Sequence, residues 1–139
     1  MDVDHRIRIV IGKVDFDPHD RGILALVKAF RDAGMEAIFQ GKLKTAEEVV
    51  RTAIDESADV IALNDHCGVM RVIATDAMEP LEKYEATDIC VVAGGVIEVE
   101  DKPLLEAMGV TGNHTAGTSF EVIVNHIRGR VRRERWQEA

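Results

Sequence analysis

Residues 7–30 read IRIVIGKVDFDPHDRGILALVKAF. The apolar run IRIVIG (7–12) has the make-up of a buried strand. Ile23, Leu26, Val27 and Phe30 then recur at i, i+3, i+4 and i+7, which predicts a helix with one buried face over 22–33, ended by Gly34. Between them lies KVDFDPHDRG (13–22), which sets three aspartates, a histidine and a closing glycine where strand hands over to helix. Strand, short polar segment and amphipathic helix make one β–α unit, and the remaining chain repeats that unit.

Residues 36–40 (EAIFQ) read as a second strand. Thr45 opens a capping box with Glu48, and Ala46, Val49, Val50, Ala53 and Ile54 carry the next helical stripe. Residues 59–63 (DVIAL) are a third strand, and 69–86 a helical region with Pro80 as a kink or restart. Residues 88–93 (DICVVA) are a fourth strand, 101–108 a short helix and 110–113 a fifth strand; a last helix starts near Thr118 and runs towards Arg133.

Five alternations of strand and helix predict an α/β fold: a five-stranded parallel, doubly wound sheet of flavodoxin-like or Rossmann-like type, flanked by helices. No linker interrupts it, so residues 1–139 are expected to form a single domain. Ligands of open α/β sheets lie beyond the carboxyl ends of the strands. That rule selects the segments 13–21, 64–68, 94–99 and 114–117, which hold Asp17, His19, Asn64, Asp65, His66, Gly94, Gly95, His114 and Gly117.

Composition narrows the function classes. Apolar residues make up 46 % of the 139 and aromatics only 4 %, so the core must be built from Val, Ile, Leu, Ala and Met. A net charge of −8 does not suit nucleic-acid binding, because phosphate contacts need clustered cations. With no run of about 20 apolar residues and no basic-then-apolar leader, the expectation is a soluble cytoplasmic protein without a membrane span. Cys67 and Cys90 lack metal-type spacing, and Cys90, inside an apolar run, is expected in the core.

Three motifs together resemble a known family. DPHDRG, from Asp17 through Asp20 and Arg21 to Gly22, matches the D-x-H-x-x-G signature of cobalamin-binding domains. AGGVI (93–97) resembles that family's Gly-Gly turn after the fourth strand, and GVTGNHTAGT (109–118) its closing Gly-Thr loop. The spacing is similar to that of the small subunits of acyl-CoA mutases, the methylmalonyl-CoA and 2-hydroxyisobutyryl-CoA mutase family. The resemblance implies adenosylcobalamin bound with its own base displaced and His19 as the axial ligand of cobalt. It implies that Asp17 orients His19, since a ligating imidazole needs an acceptor on its other nitrogen, and that Lys13 neutralises Asp17. Gly22 would let the helix start lie near the corrin. Gly94, Gly95 and Gly117 would wall a slot for the displaced tail, with Thr118 hydrogen-bonding it. The resemblance further implies an isomerase subunit inactive alone, partnered in a homo- or hetero-oligomer by a large barrel-type subunit that binds a CoA thioester.

One segment departs from the family. Where its members usually carry S-x-L after the third strand, this chain has Asn64, Asp65 and His66; His114 stands where an apolar or aromatic residue is commoner. These residues keep a second reading open. His19, His66 and His114, with Asp17 or Asp65 nearby, could instead ligate a divalent ion in a flavodoxin-like metal-binding or sensor module. The altered slot also admits a member adapted to another corrinoid or tetrapyrrole. A response regulator fits less well, because no paired acids end the first strand. The basic segment RGRVRRERW (128–136) reads as a solvated helix end, with Trp136 exposed by pattern and a candidate interface anchor.

Overall fold

The computed structural model describes residues 6–13, 21–42 and 45–136. Five strands alternate with five helices: β1 (Arg8–Lys13), α1 (Arg21–Asp32), β2 (Glu36–Lys42), α2 (Ala46–Asp55), β3 (Val60–Asp65), α3 (Met70–Lys83), β4 (Cys90–Gly95), α4 (Lys102–Met108), β5 (Val110–Thr115) and α5 (Phe120–Arg130). The sheet is parallel throughout with order β2-β1-β3-β4-β5. The order reverses between β1 and β3, the place where such sheets leave a crevice.

Two apolar layers sandwich the sheet. On one face, Ile9, Ile11, Val60, Ala62 and Val92 pack against Ile23, Val27 and Phe30 of α1 and Val124 and Ile127 of α5. On the other, Val10, Ile61, Leu63 and Val91 meet α2 and α3 and Leu105 of α4. Strand alternation sorts these side chains between the faces, and the helical stripes supply the complementary surfaces. Thr45 and Glu48 form the expected capping box. Cys90 is buried, as expected, and Cys67 exposed. No helix among the described residues is long and apolar enough to cross a membrane.

The strands run further than their apolar content suggested. β3 extends through Asp65, β4 through Gly95 and β5 through Thr115. Ladder pairing is a backbone property, so polar residues and glycines continue it. Helix α3 continues through Pro80 to Lys83 without a restart. The proline lies in the last turn and removes a backbone donor only from the carbonyl of the exposed Asp76. Helix α5 starts at Phe120, capped by Ser119, whose hydroxyl accepts from the Val122 N–H at 3.3 Å.

Trp136 is not a free anchor. It is half-buried against the α1/α5 layer and donates its indole N–H to Asp59 Oδ1 at 3.3 Å. Arg135 reaches the same oxygen at 2.8 Å and Asp88 at 2.6 Å. Asp59 Oδ2 accepts from the Arg8 backbone N–H at 2.9 Å. This cluster pins the chain beyond α5 to the edge of the sheet opposite the ligand end.

Candidate functional site

At the carboxyl end of the sheet, four residues stand in one row across four strands. Lys13 pairs with Asn64, Asn64 with Gly94, and Gly94 with His114. Alternation from Ile9 and Ile11, from Val60 and Ala62, and from Val92 places Lys13, Asn64 and Gly94 on the α1/α5 face. Lys13 is 1 % exposed. A buried ammonium requires an anionic partner; the carboxylate that the resemblance assigns to it, Asp17, lies outside the described residues.

Above this row a cleft of about 320 Å³ opens between the sheet, α1 and α5. Its size falls within the roughly 300–1,000 Å³ of small-molecule sites. Leu26 and Phe30 of α1, Val92 of β4, and Phe120 and Ile123 of α5 give it an apolar lining. Asn64, His66, His114 and Thr118 add polar edges.

The two glycines that end β4 have different causes. A Cβ on Gly95 would sit 2.0 Å from the Asp65 carbonyl oxygen, and its φ is +118°. The protein's own packing therefore demands glycine there. A Cβ on Gly94 would find nothing nearer than 3.4 Å. No packing forbids it; it would simply stand in the cleft. Gly94 leaves an open cradle in the cleft that the protein's own packing does not require.

Asp65 is fully buried, and its carboxylate is spent on backbone: Oδ1 accepts from the Cys67 N–H at 2.9 Å and Oδ2 from the Val69 N–H at 2.7 Å. Its carbonyl accepts from the Val96 N–H at 2.8 Å. Asp65 thus fixes the turn that carries His66 and is neither an exposed acceptor nor a spare metal ligand. Among the described residues no three His, Cys, Asp or Glu side chains converge as a metal site.

His114 reaches the row through an irregularity in β5. Val92 pairs with Thr111 and Gly94 with His114, so Ala93 faces both Gly112 and Asn113. This is a bulge, which re-aims the following side chain. Gly112 has φ +80° and Asn113 +47°. The His114 ring lies over the bare Cα of Gly112, where a Cβ would come within 2.8 Å of its Cε1. It also meets the His126 ring edge-on at 5.3 Å, while His126 Nε2 and Thr111 Oγ1 share a hydrogen bond of 3.0 Å. Burial pushes the His114 pKa down, and the nearby His126 and Lys102 push it the same way.

The cleft brings together Gly22, Asn64, His66, Gly94, Gly95, Gly117 and Thr118 of the residues expected there. Thr118 donates its hydroxyl proton to the Thr115 carbonyl at 2.7 Å, which leaves it an acceptor towards the cleft. Arg21 is the first residue of α1. Asp17, His19 and Asp20 lie outside the described residues. The sequence reading missed Leu26, Phe120 and Ile123 as lining, because their helical spacing reads as core, and it missed the Gly112–Asn113 bulge.

A family model described as "B12 binding domain" matches residues 7–121. The chain belongs to the B12-binding domain family. It is 38 % identical over 125 residues to the 2-hydroxyisobutanoyl-CoA mutase small subunit of Aquincola tertiaricarbonis, covering 90 % of this chain and 92 % of that one. It is 33 % identical over 117 residues to the methylmalonyl-CoA mutase of Escherichia coli, covering 84 % of this chain but 16 % of that one. A cobalamin-binding protein from Desulfitobacterium hafniense superposes with a TM-score of 0.68 at 20 % identity, over 89 % of this chain and 58 % of that one, which shows the shared fold. The cleft fits what a B12-binding domain has to accommodate. Its apolar lining and the open cradle at Gly94 suit a flat heteroaromatic ring slid between sheet and helices.

Proposed function

We propose that this chain is the cofactor-carrying small subunit of an adenosylcobalamin-dependent acyl-CoA mutase, with residues 1–139 acting as one cofactor-binding unit. The observation that carries the reading is the cradle at Gly94, an absence of side chain that the protein's own packing does not require. Bound there, the group supplies homolytic carbon-skeleton chemistry. The chain's part is to hold it. His19 would hold the cobalt, and Asp17 and Lys13 would hold its tautomer and charge. The slot between β3, β4, β5, α1 and α5 takes the nucleotide tail, and its apolar walls keep water away. Asp20, Arg21 and Gly22 would complete the set of residues that binds the cofactor.

The likeness to a small subunit along nearly its whole length, and to about one-sixth of a one-chain mutase, supports a division of labour. A partner chain holds the CoA thioester and closes the dry chamber that radical chemistry needs. This chain alone turns nothing over.

Titration of the protein with adenosylcobalamin, followed by visible absorption, tests the reading. The expected result is a base-off spectrum with imidazole on cobalt, lost in His19→Ala. Absence of any spectral change with the unsubstituted protein would refute it.

A further inference from the structure

We propose that occupation of the cleft is linked to the proton on His114, and that His126 is the positioning residue that sets the link. The inference rests on the cofactor reading above for its ligand and on this chain's own residues for its mechanism. Its starting point is a pair of imidazoles at the cleft wall. His114 lines the cleft, and its ring meets that of His126 edge-on, with centroids 5.3 Å apart and planes at 82°. His126 sits on α5 between the buried Val124 and Ile127, and its Nε2 shares a 3.0 Å hydrogen bond with Thr111 Oγ1. Thr111 and His114 belong to the same strand, β5. The hydroxyl therefore ties His126 to the strand that carries its partner. The Nδ1–Cε1 edge of the His114 ring lies over Gly112, where a Cβ would come within 2.9 Å of Nδ1. Neither ring leaves the other without giving up one of these contacts.

Such a pair is hard to charge twice. The charged groups that act on His114 are His126 of α5 and Lys102 of α4. His66 lines the same cleft, and Lys13 stands further along the row. All of these are cationic or become so in acid. The carboxylate at the end of β3, that of Asp65, is turned onto the Cys67 and Val69 backbone N–H groups. Burial lowers the His114 pKa first, and His126 and Lys102 lower it further. The ring is therefore neutral at neutral pH and takes its proton only in acid.

An occupant of the cleft strengthens this preference. Leu26, Phe30, Val92, Phe120 and Ile123 supply the apolar walls. An uncharged flat group slid among them expels water from over the imidazole, and desolvation disfavours the charged form. The sign is the same whichever edge of that group meets His114, since it comes from lost water and not from a particular hydrogen bond. By linkage, binding in acid releases the proton on His114, and affinity falls as pH drops through the His114 pKa of the empty protein. That window lies below about 6.5, the ordinary histidine value. His126 sets its position. With no second imidazole against the ring, His114 takes its proton at higher pH, and affinity is lost sooner on acidification.

NMR titration of the ring signals in the protein by itself should give His114 a midpoint below that of an ordinary histidine, raised in His126→Gln. An unchanged midpoint in that variant would overturn the role of His126. Dissociation constants measured by visible absorption across pH, for cobalamin and for cobinamide, which lacks the tail, then test the link to the cleft. Protonation of His19 weakens both corrinoids alike, so their ratio isolates the cleft. The preference for cobalamin should fall several-fold from about pH 7 to about pH 5. It should lose that dependence in His114→Gln and keep it in His66→Gln, with cobinamide binding by each variant reporting an intact fold. A ratio constant with pH in the unsubstituted protein, or one that rises in acid because His114 meets an anion, would overturn the link while leaving the cofactor reading intact. Dependence that survives His114→Gln and vanishes in His66→Gln would assign the proton to His66 and overturn the proposal. Failure of both corrinoids to bind at any pH would overturn the cofactor reading and this inference with it.

Discussion

His114 stands opposite Gly94 because β5 carries one residue more than β4 before that point. An unbulged ladder would put Asn113 there, since Val92 already pairs with Thr111. The imidazole in the slot is thus a product of backbone geometry. Gly112→Ala should remove it. The new Cβ would lie 2.8 Å from both the His114 ring and Val92, at a φ of +80°. We expect a loss of at least about 2 kcal/mol of stability in urea titration and a changed histidine signal in NMR. A variant as stable as the parent would show that the bulge does not depend on glycine.

Gly94→Ala and Gly95→Ala should separate function from folding. At Gly94 the added methyl meets no protein atom closer than 3.4 Å. Stability should hold or rise by about 0.5 kcal/mol, while corrinoid affinity falls at least about tenfold through crowding of the slot. At Gly95 the methyl would lie 2.0 Å from a carbonyl oxygen, so the variant should lose at least about 3 kcal/mol. Equal behaviour of the two in thermal melts and binding titrations would contradict the distinction.

Acid should weaken the fold through His114. Burial, then His126 and Lys102, holds its folded pKa below the ordinary value. The unfolded chain therefore binds this proton more readily, and stability rises with pH across the window between the two pKa values. The contribution is complete above about 6.5, the unfolded value, and is lost as pH falls through the folded pKa. His114→Phe should flatten the decline in urea midpoint below that pH. An identical pH profile in parent and variant would remove His114 as the cause.

Asp59→Ala should unfasten the edge of the sheet opposite the slot. It leaves Arg135, 20 % exposed, with Asp88 as its remaining carboxylate, and takes acceptors from the Arg8 N–H and the Trp136 indole. We expect a cost of about 2 kcal/mol in chemical denaturation, from the donors left without an acceptor. Trp136→Phe, which keeps most of the packing, should cost less than about 1 kcal/mol. Corrinoid affinity should stay constant in both, because the cluster and the slot occupy opposite ends of the strands.

Much of this architecture was legible in the sequence. The stripe Ile23–Val27–Phe30 and the capping box Thr45–Glu48 depend on short-range periodicity and local hydrogen bonding, and both stand where expected. The strand ends were not legible, because Asn64-Asp65 and Gly94-Gly95 look like loop by composition while the ladder continues through them. Trp136 misled for a related reason. Its partner Asp59 lies 77 residues away, and no local pattern encodes that hydrogen bond. The slot was half-visible: its polar and glycine members stood out, but Leu26, Phe120 and Ile123 carry the same apolar signature as the core.

The dimensions of the slot reside in the main chain, in a cradle without a side chain at 94 and an extra residue before 114. Its polarity resides in the side chains at 64, 66 and 114. Size and chemical character are therefore inherited separately. A lineage can exchange the second by one or two point substitutions and leave the first, and the folding that depends on it, untouched.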